Sequence, residues 1–352
     1  MLDSLTEQLR SAQALSPGQV RAAILALTEE QVPIELKADF LATLSTKGET
    51  VEEIAAFARE LLERSIPTPL DAETRALEIL DVCGTGGDKQ NTFNISTTVA
   101  LLAAAAGVTV AKHGNRAITS QSGSADVLEA LGLRIDLGPE EAARSLRKRG
   151  FAFFFAPKYH PAFRHIGPAR KLCAERGQRT IFNFLGPLLN PARPSAQLVG
   201  VPRPELCEPI ARVLQSLGVR RAMVVCGAVS DGGPAGGATF LDELSTLGET
   251  TVAEFYQDRG FAVSTMEAGN FPLQTATLAD LRGGDREANA AMVRALLEGR
   301  ERGPKRDAVL LNAAAALFVA GRTRGISEGW ELAAKVIDSG AARAKLAELA
   351  PT

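Results

Sequence analysis

Short strand-like runs alternate with helical segments from about residue 76 onward, and this alternation is the feature that most constrains the fold. Strands that alternate with helices are typical of a mostly parallel sheet with helices on both faces. We therefore predict an α/β protein with a mostly parallel central sheet. Its strands should include residues 79–83, 108–112, 151–156, 197–201 and 222–227.

The chain before this region has a helical pattern. Apolar residues recur at helical spacing through about residue 65, and Thr50 with Glu53 form the capping box that starts one helix. The segment S-I-P-T-P-L-D at 65–71 carries two prolines and is typical of a linker. We therefore predict a small N-terminal α-helical domain over 1–72 and a large α/β domain over 73–352.

The charges of the chain almost cancel, with 39 Lys and Arg against 41 Asp and Glu. A nucleic-acid-binding domain is usually markedly basic, so this balance argues against one. The average hides an asymmetry: residues 1–81 carry 7 basic and 15 acidic side chains, whereas 144–180 carry 10 basic ones and only Glu175. A solvated helical face is the ordinary explanation of the first segment. The second interleaves its cations with aromatic and histidine side chains, which keeps an anion-binding role open.

The sequence also bears on location. The first residues lack the pattern of a secretory signal, and the longest apolar run, 99–111, is shorter than the roughly 20 residues of a membrane span. The cysteines lack the spacing of a disulfide framework or a zinc site; they are Cys83, Cys173, Cys207 and Cys226. We therefore expect a cytoplasmic protein with no membrane partner.

The first informative motif is D-V-C-G-T-G-G-D at 81–88, where a predicted strand runs directly into glycines. A helix starts shortly afterwards, near N-I-S-T at 94–97. A strand, a glycine loop and a helix N-terminus point unpaired backbone N–H groups toward an anion. A tight turn alone would explain the glycines equally well. The motif matches neither a Walker A loop nor the spaced glycines of dinucleotide sites, so ATP and NAD are not favoured.

A second polar loop, K-H-G-N-R-A-I-T-S-Q-S-G-S-A-D at 112–126, follows another predicted strand. Ligands of open α/β sheets bind beyond the carboxyl ends of the strands, so we expect both loops at one edge. Lys112 and Arg116 each offer a cation to a phosphate, and Ser120, Ser122 and Ser124 add donors. A solvated loop would explain any one of these residues alone.

These motifs, with others further along the chain, resemble those of the anthranilate phosphoribosyltransferases. The matching segments, in the family's order, are G-T-G-G-D at 84–88, N-I-S-T at 94–97, K-H-G-N-R at 112–116, S-G-S-A-D-V-L-E-A-L-G at 122–132, H-P-A at 160–162, R-T-I-F-N-F-L-G-P-L-L-N-P at 179–191 and D-E at 242–243. The resemblance implies a small helical domain, completed by helices from about 168–192, beside a large α/β domain. It also implies transfer of the phosphoribosyl group of 5-phosphoribosyl 1-diphosphate (PRPP) to the amine of anthranilate in tryptophan biosynthesis.

The resemblance further implies roles for individual residues. PRPP would be held by Gly84, Gly87, Asp88, Thr92, Asn94, Ile95, Ser96, Thr97, Lys112, His113, Gly114, Asn115, Arg116, Ala117, Ile118, Thr119, Ser120 and Ser124. Mg²⁺, as two ions per subunit, would be held by Ser96, Asp242 and Glu243. Anthranilate would meet Gly84, His113, Asn115, Tyr159, His160 and Arg170, whose guanidinium suits a carboxylate. Lys112, Arg170 and Asp242 would matter most to catalysis, in a homodimer formed through the helical domain.

Two segments depart from the family's pattern. K-L-C-A-E-R-G-Q at 171–178 is about three residues longer than the family's spacing, so Arg164 or Arg176 is an alternative to Arg170. D-G-G-P-A-G-G at 231–237 replaces the family's approach to the acidic pair, which leaves the placement of Asp242 and Glu243 open.

Two alternative hypotheses remain at this point. A pyrimidine nucleoside phosphorylase would share the fold, but its K-x-S-G-R-G phosphate signature is absent from the sequence. The hypothesis of a nucleic-acid-binding relative without catalysis would rest only on the basic segment 144–180. Such a protein has no use for the predicted magnesium ligands, which speaks against it.

Overall fold

The computed structural model describes residues 1–117, 121–230, 238–256 and 260–350. Its first part is helical, as predicted. Thr50 and Glu53 form the predicted capping box, because Thr50 Oγ1 accepts the Glu53 N–H at 3.1 Å and Glu53 Oε2 accepts the Thr50 N–H at 2.9 Å. The helices are α1 (Leu2–Arg10), α2 (Pro17–Thr28), α3 (Ile34–Lys47) and α4 (Val51–Glu63).

A single sheet follows. Within the described residues its strands are β1 (Ile79–Gly84), β2 (Thr109–Gly114), β3 (Phe151–Phe155), β4 (Ala196–Gly200), β5 (Arg221–Val229), β6 (Thr239–Leu241), β7 (Thr250–Tyr256) and β8 (Ala262–Met266). The order in space is β3-β2-β1-β4-β5-β7-β8, with β6 paired to β5. β1 to β5 pair in parallel, whereas β6, β7 and β8 are antiparallel. The predicted mostly parallel sheet is confirmed, and its antiparallel edge was not predicted.

Helices cover both faces of this sheet. They are α5 (Ala72–Ala76), α6 (Ile95–Ala105), α7 (Ser124–Ala130), α8 (Pro139–Arg149), α9 (Ala156–Tyr159), α10 (Phe163–Glu175), α11 (Phe182–Leu185), α12 (Cys207–Ser216), α13 (Arg286–Leu297), α14 (Pro304–Val319), α15 (Ile326–Asp338) and α16 (Ala341–Leu349). Strand residues alternate between two cores, so that Val225 packs with α6 and α14 while Val224 packs with α12 and the N-terminal helices. Both faces of the parallel part are therefore buried, as its apolar runs indicate.

The N-terminal helices pack on the sheet through other helices. α4 contacts α12, which itself lies on β5 and β7, and α10 contacts α2 and α3. Lys37 on α3 reaches across to α10, where its Nζ donates to the His165 carbonyl at 3.1 Å. Burial lowers the pKa of this lysine. These contacts bring α10 into the same apolar core as α1 to α4.

The start of α7 is capped from within the helix. Gly123 is the N-cap residue and Ser124 is the first residue of the helix. The Asp126 carboxylate, in the first turn of the helix, accepts the Gly123 N–H at 2.9 Å. This bond gives the backbone N–H of the N-cap residue a hydrogen-bond partner. The Ser124 hydroxyl instead donates to the Asn115 carbonyl at 3.3 Å.

The strand order reverses at β1. From β1 the chain runs to β2 and β3 on one side, and then to β4 and β5 on the other. In open α/β sheets the crevice at such a reversal, beyond the carboxyl ends of the strands, is where ligands bind. In the described part of the chain, no helix has the length and apolar character needed to cross a bilayer.

Candidate active site

The acidic pair Asp242–Glu243 lies at this reversal, against the loop that follows β1. The pair follows β6 directly. Asp242 Oδ2 accepts the Gly86 N–H at 2.8 Å, and Glu243 Oε1 accepts the Ser96 N–H at 3.2 Å. The structure therefore brings Ser96, Asp242 and Glu243 together at one edge. The divergent segment 231–237 lies outside the described residues.

Two glycines make room for the acidic pair. A Cβ added at Gly200, the last residue of β4, would lie 1.5 Å from the Asp242 carbonyl oxygen. A Cβ added at Gly84, the last residue of β1, would lie 2.2 Å from Asp242 Oδ2. Because no side chain fits at either position, the acidic pair can sit directly on the ends of two adjacent strands.

The carboxylates at this edge crowd one another. Burial, with the neighbouring Asp88 charge, raises the pKa of Asp242 to about 7. Burial also raises the pKa of Glu243 well above its usual range; the Asp242 charge adds to this effect and the Lys112 charge opposes it. Asp88 Oδ2 is buried without a hydrogen-bond partner among the described residues. Buried carboxylates in this condition are stabilised by a cation.

The donor set suits Mg²⁺ better than a transition metal. Within the described ranges, no three His, Cys, Asp or Glu side chains converge on a point that could hold a metal ion. Mg²⁺ needs no such cage, because it is usually held by one or two carboxylates together with waters and substrate phosphates. Asp242, Glu243 and the nearby Ser96 fit that description.

The first predicted phosphate-binding loop leads into the start of α6. Asn94 is its N-cap residue, but its side chain makes no capping bond. Instead Asn94 Oδ1 accepts from Asn289 Nδ2 at 2.9 Å, and its Nδ2 donates to the Ser122 carbonyl at 3.4 Å. Thr97 Oγ1 is buried without a partner among the described residues.

Other predicted residues flank this helix start. Thr92 forms an isolated antiparallel bridge with Arg282. The Ile95 side chain is buried in the core, and its N–H donates to the Phe93 carbonyl at 2.7 Å. Gly87 and Asp88 lie in the loop between Gly84 and Thr92.

The second loop begins where β2 ends at Gly114. The Asp126 carboxylate closes this loop, because it accepts the Ala117 N–H at 3.0 Å as well as the Gly123 N–H. Asn115 accepts the Ala125 N–H at 3.2 Å through its carbonyl. The predicted residues Ile118, Thr119 and Ser120 lie outside the described residues.

Arg116 is already engaged on the protein surface. Its guanidinium donates to Asp126 at 2.9 Å and to both carboxylate oxygens of Glu129 at 2.9 and 3.0 Å. It also lies 5.8 Å from the centre of the Phe155 ring. A phosphate that binds Arg116 must therefore compete with Glu129.

Lys112 is buried below the acidic pair, with 1% of its surface exposed. Its Nζ donates to the Val82 carbonyl at 2.6 Å. The Lys112 charge lowers the pKa of both Glu243 and Asp81, although burial still raises the pKa of Asp81 to about 6. Asp81 Oδ2 is held by Asn190 Nδ2 at 2.9 Å. Lys112 is thus a buried counter-charge to the carboxylates at this edge.

A row of rings leads from the second loop to Arg170. His113 and His160 lie 5.4 Å apart between ring centres, His160 and Phe163 lie 5.3 Å apart, and Phe163 and Phe182 lie 5.5 Å apart. The Arg170 guanidinium lies 5.1 Å from the Phe182 ring centre. This aromatic row places a cation at one end of a mostly apolar wall.

The histidines of the aromatic row are neutral. His160 Nε2 donates to the Leu189 carbonyl at 2.8 Å, and burial lowers the pKa of His160 to about 4. His113 Nδ1 donates to the Gly186 carbonyl at 3.2 Å, and burial together with the nearby His160 lowers the pKa of His113 to about 3. His113 Nε2 is buried without a partner among the described residues.

Arg170 and Tyr159 differ in their surroundings. Arg170 is half-buried, its Nε has no partner among the described residues, and burial lowers its pKa. The alternatives Arg164 and Arg176 are exposed. Tyr159 lies outside the aromatic row, because its ring packs on Phe154 and its hydroxyl donates to the Leu137 carbonyl at 3.0 Å. Its predicted contact with anthranilate has no support in these contacts.

Sequence reasoning missed several residues that organise the site. Phe163 and Phe182 belong to the aromatic row, Asn289 holds Asn94, and Asn312 holds the residue after Glu243. The only signal for Asn312 in the sequence was a polar side chain inside the apolar run V-L-L-N-A-A-A-A-L at 309–317.

A separate cleft of about 250 Å³ lies between α4 and the amino end of β4. It is lined by residues that include Arg59, Glu63 and Arg193, and it contains none of the predicted site residues. It lies at the other end of the parallel strands from the acidic pair and is not the candidate active site.

Comparison with known proteins identifies the class. Residues 76–343 match the glycosyl transferase family, a/b domain, and residues 3–65 match the helical bundle domain of that family. The chain therefore belongs to this glycosyl transferase family.

Individual relatives narrow this class. The anthranilate phosphoribosyltransferase of Symbiobacterium thermophilum is 47% identical over 343 residues, which cover 97% of this chain and 95% of that protein. The crystal structure of the Thermus thermophilus anthranilate phosphoribosyltransferase matches with a TM-score of 0.86 and 40% identity, covering 98% of both chains. The solved structure of the Saccharomyces cerevisiae anthranilate phosphoribosyltransferase in complex with PRPP and Mg matches with a TM-score of 0.85 and 28% identity, covering 99% of this chain and 96% of that one.

Within the glycosyl transferase class, the chain belongs to the anthranilate phosphoribosyltransferases, which are pentosyltransferases of tryptophan biosynthesis. The predicted fold class and the predicted activity are both confirmed.

Proposed function

We propose that the phosphoribosyl transfer takes place at the carboxyl edge of β1, β2 and β4. One observation carries this assignment: Asp242 and Glu243 converge on the N–H groups of Gly86 and Ser96, in the loop after β1 and the first turn of α6. Acidic side chains beside a phosphate-type loop are expected when a cation must bridge them to a diphosphate.

PRPP is proposed to lie across the two loops. The yeast relative was solved with PRPP and Mg, which supports a magnesium-dependent donor site here. Ser96, Asp242 and Glu243 would hold Mg²⁺, as two ions per subunit, and bound Mg²⁺ would neutralise charge on the diphosphate leaving group. The N-terminus of α6, with its partial positive charge, would receive phosphate oxygens.

Anthranilate is proposed to lie along the aromatic row, with its carboxylate at Arg170. A half-buried guanidinium whose Nε has no partner among the described residues is suited to a carboxylate. The anthranilate nitrogen would attack the anomeric carbon of the ribose while the bond to diphosphate breaks, and the nitrogen would then lose a proton. An aromatic amine is neutral near pH 7, so it needs no strong base, and the neutral imidazoles of His113 and His160 would act as walls.

Most of the rate would come from positioning and from stabilising the leaving group. Lys112 would contribute as a fixed counter-charge, since its Nζ is bound to Val82. No single side chain of this chain would then be indispensable in the way a covalent nucleophile is.

The assembly and domain boundaries are also proposals. We propose a cytoplasmic homodimer in which helices from about 168–192 complete the domain of 1–72. Support comes from the packing of α10 on α2 and α3, and from the exposed apolar side chains Leu25 and Ile34 on α2 and α3. Light scattering that reports a monomer of 37.2 kDa at micromolar concentration would contradict the dimer.

The assignment is tested by following anthranilate fluorescence with PRPP and Mg²⁺. Arg170→Ala should raise the KM for anthranilate by at least about tenfold, because a charge-assisted pair is lost, while the KM for PRPP changes little. An unchanged KM for anthranilate would refute the role of Arg170. Salt-sensitive DNA binding without magnesium-dependent turnover would favour the nucleic-acid alternative.

A further inference from the structure

Asn312 lies in the middle of α14 and is completely buried. Its amide makes three hydrogen bonds, which use both N–H donors and one of the two acceptor positions of Oδ1. Oδ1 accepts the Leu244 N–H at 2.9 Å, and Nδ2 donates to the Leu244 carbonyl at 3.0 Å and to the Ala308 carbonyl at 2.9 Å. One side chain therefore holds both backbone groups of a single residue, 68 positions earlier in the chain.

Leu244 directly follows the acidic pair. Its N–H belongs to the peptide unit shared with Glu243, so the bond from Asn312 fixes the orientation of that unit. On the other side of the acidic pair, the Asp242 carboxylate is held by the Gly86 N–H, and the Asp242 carbonyl lies against Gly200. The acidic pair is thus fixed from the sheet at one end and from α14 at the other.

Other bonds in this turn lie further from the acids. Ser245 N–H donates to Thr250 Oγ1 at 3.0 Å, and Ser245 Oγ donates to the Ala228 carbonyl at 2.6 Å. These bonds stay within β5, β7 and their connection. Two anchors come from helices: the Ser96 N–H of α6 donates to Glu243 Oε1, and Asn312 of α14 holds Leu244 through an amide that sits in an otherwise apolar core. An apolar residue would fill that space without the cost of burying an amide.

We infer that Asn312 is a positioning residue for the magnesium-binding acidic pair. The loss of a side chain that holds metal ligands in place typically weakens metal binding 10- to 100-fold. The inference rests on the proposed function of Asp242 and Glu243.

The test compares Asn312→Ser with Val319→Ala, a cavity-forming change at a buried position on the same helix. We expect Asn312→Ser to raise the Mg²⁺ concentration for half-maximal activity by at least about tenfold, with the KM for anthranilate within about twofold of the original. Calorimetric titration of PRPP at several Mg²⁺ concentrations, without anthranilate, should show the same weakening. Val319→Ala should lower the melting temperature and leave the Mg²⁺ requirement unchanged.

A second variant provides the test if Asn312→Ser does not fold. Asn312→Asp keeps the shape and the acceptor for the Leu244 N–H; because burial favours the protonated carboxyl, it keeps one donor and loses the other. We expect it to fold and to raise the Mg²⁺ requirement by a smaller factor. An unchanged Mg²⁺ requirement in the folded Asn312 variants would overturn the inference.

A third arm separates this inference from the proposed function. Glu243→Gln should weaken the Mg²⁺-dependent binding of PRPP. If Glu243→Gln has no effect, the proposed metal role of the acidic pair fails, and the inference fails with it. If Glu243→Gln weakens binding and the Asn312 variants do not, only the positioning role is wrong.

Discussion

Gly200→Ala is the most direct test of how Asp242 and Glu243 are held against the end of β4. The added Cβ would lie 1.5 Å from the Asp242 carbonyl oxygen, whereas real Cβ contacts shorter than 3.0 Å are essentially never seen. The Asp242 backbone must therefore retreat by about 1.5 Å, since the parallel pairing of β4 with β1 and β5 restrains Gly200 itself. The adjacent Asp242 and Glu243 side chains would move with the backbone.

The expected effect on catalysis is large. A misplacement of about 1 Å can cost about 100-fold in rate, so we expect kcat/KM to fall by at least about 100-fold, or about 2.7 kcal/mol of transition-state stabilisation. The assay is the magnesium-dependent loss of anthranilate fluorescence in the presence of PRPP. Thermal unfolding measured in parallel reports how much of the loss comes from instability.

Gly18→Ala is the matched control. A Cβ at Gly18 meets no heavy atom within 4 Å, and the residue lies in the first turn of α2. Alanine in a helix is favoured over glycine by up to about 1 kcal/mol, so this variant should be at least as stable as the original and fully active. A folded Gly200→Ala protein with kcat/KM within about threefold of the original would show that the acidic pair is not held against β4.

Two further perturbations test the histidines and Arg116. His160 stays neutral in the fold because burial lowers its pKa to about 4, whereas the unfolded chain takes up a proton near pH 6.5. Between pH 7 and pH 5, the free energy of unfolding of the unmodified protein should therefore fall by about 2 kcal/mol more than that of His160→Gln. A difference between the two free energies that stays constant over this range, measured by urea unfolding, would contradict this. Glu129→Gln removes the two-point ion pair of Arg116 with Glu129 and leaves its contact with Asp126, so if Arg116 binds PRPP the KM for PRPP should fall, by up to about fivefold. A rise in that KM would show that Arg116 acts through Glu129.

The predictable features of this fold are local in sequence. The capping box at Thr50 and Glu53 depends on residues three apart, and both predicted phosphate-binding loops follow strands whose apolar runs are visible in the sequence. Because the carboxyl ends of parallel strands share an edge, the meeting of the two loops followed from topology alone.

The features that could not be predicted depend on tertiary contacts. β8 is mostly exposed and has no apolar alternation, so only its pairing with β7 makes it a strand. Tyr159 precedes His160 in the sequence, yet its ring packs into the core near Phe154 while His160 joins the aromatic row. The direction of a side chain at the end of a short helix is decided by what it packs against, which spacing does not reveal.

In the proposed arrangement, the two anionic substrates would bind at separate ends of the site. The crowded carboxyls of Asp88, Asp242 and Glu243 offer a bare diphosphate no cation, so Mg²⁺ and PRPP should each strengthen the binding of the other there. The carboxylate of anthranilate would pair with Arg170 at the far end of the aromatic row. This discrimination requires neutral histidines between the two ends, because a protonated His113 or His160 would offer the anthranilate carboxylate a competing cation. Their low pKa values, about 3 and about 4, keep that competing charge absent near pH 7.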